Sequence, residues 1–445
     1  MDYTLTQLKT WDEQIQTLAT QMGLDYYPQE FLLADEQDML SFMAYSGMPS
    51  HYPHWSFGKS YDRTKTMYDY GMEGLPYELV INSNPCLAYL MQNNSELMQV
   101  LTIAHVYGHN DFFKNNTNFS KTRADDVVGR FKRHADLIRG YYTEYGADMV
   151  EPFLDAAHAL QYQCNRNVNV VSSPRSNQGD QGDQGDQDSK ELKLQHDDTS
   201  GVQNNENVLL YIHDHADLKE WQRNILYVVH ERAQYFIPQA QTKILNEGWA
   251  SFWHYTLLNE LGLPAQMHLE FLVRHNQVIR PHQGGLNPYH LGFTILRDVD
   301  RRLGRSELFR IRESARDQNF LRTYLTRELV EELQLFEYQQ GRNHVEVSNI
   351  GDKQGWEAVR DTLAAQVGLN SLPTLYVQET EDQDVLTLVH DHQGLDLEIG
   401  YAKKTLNHLY TLWKHPVRVK TVVQGEPAYL LFNGNIHNTV YIHKK

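Results

Sequence analysis

The stretch Thr242 to Tyr255, TKILNEGWASFWHY, constrains the fold most. Trp249, Phe252 and Trp253 make this helical pattern aromatic on nearly every side, so the helix must be mostly buried. It also carries Glu247 and His254, seven residues apart and therefore on one helix face. A buried carboxylate is costly unless it is paired or bound to a metal. One pairing available within the helix is Lys243, at i−4 from Glu247.

An earlier segment supplies the complement. In TIAHVYGHNDFFKNN (Thr102 to Asn116), His105 and His109 lie four apart, one helical turn from each other on the same face. The spacing is that of the zinc-binding H-E-x-x-H helix, but the acid position holds Val106. The metal-binding half of the pattern is present and the usual general base is missing. Gluzincin peptidases complete such a pair with a Glu from a later helix that often reads N-E-G, and Asn246-Glu247-Gly248 has that form. The expected centre is a divalent metal, zinc first, on His105, His109 and Glu247. His254 is a candidate fourth ligand or transition-state donor. Glu231, in VVHERAQYF, is the candidate general base, although a lone helical Glu is equally well read as a solvated residue. His134, Glu144 and Glu151 read as structural polar residues.

The chain has 445 residues, enough for two or three domains. Residues 166–206 contain the repeat SNQGDQGDQGDQDSK, which lacks apolar periodicity and reads as a flexible insertion within a helical domain. Before it, helical patterns cover 5–22, 86–114, 123–145 and 147–164. HYPHWSFGKSYD (His51 to Asp62) packs six aromatic or histidine rings into twelve residues and reads as an ordered irregular segment. After it, Asp217 and Glu220 form a capping pattern for a helix that Pro238 should end. Further helices are expected from Gln239 to Leu261, from Asn287-Pro288 to Leu303, and from Asn319 to Phe336. Beta-rich runs then alternate with helical patterns at 353–367 and 399–413. The expected fold is α+β: a large mainly helical domain, 1–335, followed by a small α/β sandwich, 336–445.

Net charge is −17, which argues against nucleic acid as the main partner. No apolar run approaches the roughly 20 residues of a membrane helix, and the start lacks a signal pattern, so a cytoplasmic location is expected. Cys86 and Cys164 are the only cysteines, too few for a disulfide framework. Arginines crowd the segment Arg297 to Arg322, with acids interleaved; surface ion pairs are the plainer reading and a phosphorylated ligand the sharper one.

Several long motifs together resemble the stage V sporulation protein R (SpoVR) family. They are GLDYYPQEF (Gly23 to Phe31), HWSFGKSY (His54 to Tyr61), INSNPCLAYLMQNN (Ile81 to Asn94) and IAHVYGHNDFFKNN (Ile103 to Asn116). YFIPQAQTKILNEGWASFWHY (Tyr235 to Tyr255), NPYHLGF (Asn287 to Phe293), NFLRTYLTRELV (Asn319 to Val330) and YAKKTLNHLYTLWKHPV (Tyr401 to Val417) continue the likeness. The resemblance implies a role in spore cortex formation or in stress and stationary-phase physiology, alongside a PrkA-type serine kinase and a von Willebrand A-like (VWA-like) protein. It carries no defined reaction.

Overall fold

The computed structural model describes residues 3–48, 50–70, 77–166, 206–281, 285–340, 345–350, 355–380 and 384–442. The repeat-bearing segment, apart from its two ends, lies outside the described residues. The chain divides into two compact units, Met1–Gln161 with Leu218–Pro373, and Tyr162–Asp217 with Thr374–Lys445.

The first unit begins with α1 (Leu5–Gln21), opened by a Thr4/Gln7 capping box. Strand β1 (Gln29–Ala34), helices α2 (Glu36–Ala44) and α3 (Trp55–Asp69), and strands β2 (Glu78–Ile81) and β3 (Cys86–Met91) follow. The three strands form one sheet in the order β1-β3-β2, with β1 parallel and β2 antiparallel to β3. Helices α4 (Glu96–Asn115), α5 (Val127–Tyr145) and α6 (Ala147–Ala159) come next.

Helix α7 (Val208–His215) belongs to the second unit. The first resumes with α8 (Glu220–Gln241), α9 (Lys243–Glu260), α10 (Ala265–Val278) and α11 (Pro288–Leu303). Short helices α12 (Arg305–Ser314), α13 (Asp317–Tyr324) and α14 (Arg327–Glu332) lead to the hairpin β4 (Phe336–Gln340) and β5 (Val345–Ile350). Helix α15 (Trp356–Gln366) packs on α13 and α14, which carries the first unit on to Pro373.

The second unit holds a five-stranded sheet, β10-β9-β8-β7-β6. Its strands are β6 (Leu375–Val377), β7 (Leu386–His390), β8 (Val417–Val423), β9 (Glu426–Phe432) and β10 (His437–Tyr441). Helix α16 (Ile399–Trp413) is the crossover between the parallel strands β7 and β8, and the other neighbours pair antiparallel. The α+β class is therefore as expected.

Four local expectations are corrected. The helical pattern over 86–114 is strand β3 followed by α4, whose N-cap Ser95 accepts from the Met98 amide. A short apolar run such as CLAYLM has no period that separates strand from helix. Pro238 does not end its helix; it is buried inside α8, where core packing outweighs one missing amide donor. That helix starts after Lys219, whose amide donates to the Gln222 side chain, so Asp217 is not its cap. Asn319 to Phe336, read as one helix, is two helices and the start of β4.

The core of the first unit gathers on α9, which packs between α4 and α11. Trp249 and Trp253 are fully buried there, as the aromatic pattern demands.

Candidate metal centre

Three elements converge on one small volume: α4 with His105 and His109, α9 with Glu247, and the sheet-edge strand β2 with Glu78. Glycine sets their spacing. A Cβ on Gly108, between the two histidines, would come within 2.7 Å of the Ala250 Cα, so α4 meets α9 backbone to backbone. A Cβ on Gly248, next to Glu247, would lie 2.5 Å from the Gly292 backbone, so α9 meets α11 equally closely.

The Glu247 carboxylate Oε2 stands 3.9 Å from His105 Nε2 and 3.5 Å from His109 Nε2. From the other side, Glu78 Oε1 is 3.8 Å from His105 Nε2. One donor atom each from Glu78, His105 and His109 lie within 4.8 Å of one another. His105 Nε2 and Glu247 Oε2 are buried and have no hydrogen-bond partner. Buried polar atoms are almost always satisfied, so two orphans facing each other mark a place for an ion or a water. Two imidazoles and two carboxylates form a nitrogen and oxygen donor set suited to zinc, iron or manganese.

The outer nitrogens are occupied in the way a metal-ligating histidine requires. His109 Nδ1 donates to Asn246 Oδ1 at 2.9 Å, leaving Nε2 free to face the centre. His105 Nδ1 lies 2.9 Å from His254 Nδ1, and His254 Nε2 lies 2.7 Å from His275 Nδ1. Burial, then the charges of His105 and His275, hold the His254 pKa well below its usual value, so this ring has a single proton. With one proton on His254, the chain can run from His105 to His254 to His275, and that direction is the one that would leave His105 Nε2 a lone pair for a ligand.

The two carboxylates are driven apart. Burial raises the Glu78 pKa, with His105 and His109 opposing. Burial also pushes on Glu247, but the two imidazoles beside it overcome that and hold it well below the usual carboxylate range. His109 is raised although burial opposes this, because Glu247 and Asn246 favour its charged form. Tyr289, at the start of α11, stacks on His105 with centroids 6.0 Å apart. The Glu247 charge and burial keep its hydroxyl protonated.

His105, His109 and Glu247 are thus brought together. His254 stands behind His105, not beside Glu247. Glu231 is not in this cluster: Arg123 and Arg130 hold its carboxylate. His134, on α5, is buried, and burial lowers its pKa to about 4. Glu78 and Tyr289 escaped the sequence reading. Glu78 is a lone acid in a strand, with no helical partner whose spacing could mark it.

The profile of a family described as "SpoVR like protein" matches residues 2–372, and that of the "SpoVR-like C-terminal domain" matches 378–424. An Escherichia coli (strain K12) relative, "Uncharacterized protein YcgB", is 33% identical over 478 residues, covering 94% of this chain and 92% of its own. No solved structure matches. Among the described residues, no helix is long and apolar enough to cross a membrane.

Proposed function

This chain belongs to the SpoVR-like family, and we propose that it is a metal-dependent hydrolase of gluzincin-like descent, with His105, His109 and Glu247 as zinc ligands. One observation carries the reading: His105 Nε2 and Glu247 Oε2 are buried 3.9 Å apart, and neither has a hydrogen-bond partner. A bound divalent ion supplies Lewis acidity and lowers the pKa of water. The protein's own groups do the rest. The His254–His275 chain and Asn246 orient the imidazoles. Glu78 takes the role that Val106 leaves without an acid, accepting a proton from the attacking water and returning it to the leaving group. Tyr289 donates to the oxygen that gains charge.

Elemental analysis tests this first. The wild type should hold about one ion per chain, lost in His105→Ala, His109→Ala and Glu247→Ala. Glu78→Gln should keep the ion and abolish hydrolysis in a substrate screen, while Glu231→Gln keeps both. A wild type that retains no stoichiometric zinc, manganese or iron after reloading overturns the reading.

A second reading is favoured by Val106, fully buried where the motif's acid would stand. Here the centre is degenerate and stabilising, Glu78 is a fourth ligand, and Glu78→Gln loses the ion. The protein then acts as a regulatory scaffold beside a PrkA-type kinase and a VWA-like partner, in cortex formation or stationary-phase physiology. A cytoplasmic location accompanies both readings.

A further inference from the structure

The arginine-rich segment, Arg297 to Arg322, has no part in the metal centre, and the structure sorts its members. Arg301 and Arg302 reach Asp298, Arg305 reaches Asp300, Arg310 reaches Glu307, and Arg312 reaches the buried Asp111. Arg316 donates to Asn118 and Arg297 lies over the Phe293 ring, whereas Arg322, in the last turn of α13, has neither kind of contact among the described residues. It is exposed and has no hydrogen bond or ion pair among the described residues.

Arg322 borders an open cleft of about 380 Å³ where the α13–α14 turn faces α15. Arg327, Arg360 and Trp356 line it too. Arg360 lies over the Trp356 ring, 4.8 Å from its centroid, and engages Asp361 through Nε, which leaves its terminal amino groups available. Arg327 meets Glu328 and Glu331 only at 3.6 and 3.4 Å, and its Nε is buried without a hydrogen-bond partner. Glu328 is the one acid in the lining, and its carboxylate is held by its own amide and the Thr326 hydroxyl.

The lining itself carries three cations against one anion, with Glu331 and Asp361 outside it as partners of Arg327 and Arg360, in a chain of net charge −17. The field of the whole protein repels anions, so a ligand here must be held by local contacts. Guanidinium forks match tetrahedral oxyanions, and three of them exceed what a single carboxylate needs. A cleft this size admits a small molecule. We propose that it binds the phosphate monoester of a small metabolite through Arg322, Arg327 and Arg360, independently of the metal centre.

The test is calorimetric titration of the full chain with inorganic phosphate and with glycerol phosphate, at constant ionic strength set by chloride. Saturable binding of both is expected. Arg322→Ala and Arg360→Ala should each weaken it by roughly tenfold or more. Arg322 is exposed and unpaired, so Arg322→Ala should melt like the wild type in chloride, which separates lost binding from lost folding. No saturable heat, or unchanged affinity in Arg322→Ala, overturns the proposal. Binding of phosphate but not of the ester removes the monoester assignment.

Discussion

Histidine occupies two different settings in this molecule, and the partner of the second ring nitrogen distinguishes them. Asn246 fixes His109 with Nε2 facing Glu247, so Asn246→Ala should weaken metal binding about 10–100-fold while the fold persists, read by competition with a chelator. An unchanged affinity would remove Asn246 from the centre. His51 is the contrasting case. Its Nε2 accepts from Arg232 Nε at 2.6 Å and its Nδ1 donates to the Tyr52 carbonyl, so it is built to be neutral. Burial, then Arg232, lowers its pKa well below the ordinary value. Its contribution to stability is thus complete above about pH 6.5 and is lost as pH falls below that, by about 1.4 kcal/mol per unit. Urea unfolding from pH 7.5 down to 5 should show a shallower acid loss in His51→Gln than in the wild type. Equal slopes would refute the assignment. None of this was visible in HYPHWSFGKSYD, where the rings announce order but not their proton partners.

At the scale of elements, the close helix contacts rest on glycines that spacing alone does not reveal. Gly108→Ala would force α4 away from the Ala250 backbone, costing roughly 1–3 kcal/mol and lowering metal content together. Gly140→Ala, at an exposed position of α5 with nothing within 4 Å of the new Cβ, is the control and should be neutral or stabilising by up to about 1 kcal/mol. If Gly108→Ala melts and binds metal as the control does, the packing account fails. The aromatic pattern on α9 foretold its burial because an apolar circumference has one physical solution. The β3 run and Pro238 misled because local preference there is weak, and packing chose between strand and helix.

For the whole molecule, the candidate metal centre and six of the seven tryptophans lie in the first compact unit, with only Trp413 in the second. A ligand stabilises what it binds in proportion to its occupancy. Added zinc should therefore raise the calorimetric transition that tryptophan emission follows and leave the other unchanged. Equal shifts, or none, would count against a centre confined to the first unit.

The sequence by itself determined that α9 is buried, that two imidazoles share a helix face, and that a mainly helical part precedes a small sheet domain. Each of these follows from periodicity, which is a local property of the chain. Only the tertiary structure decided that Glu78, 27 positions before His105, faces the same histidines, and that Arg123 and Arg130 claim Glu231. Those outcomes depend on which elements pack together, and no spacing along one element encodes its neighbour.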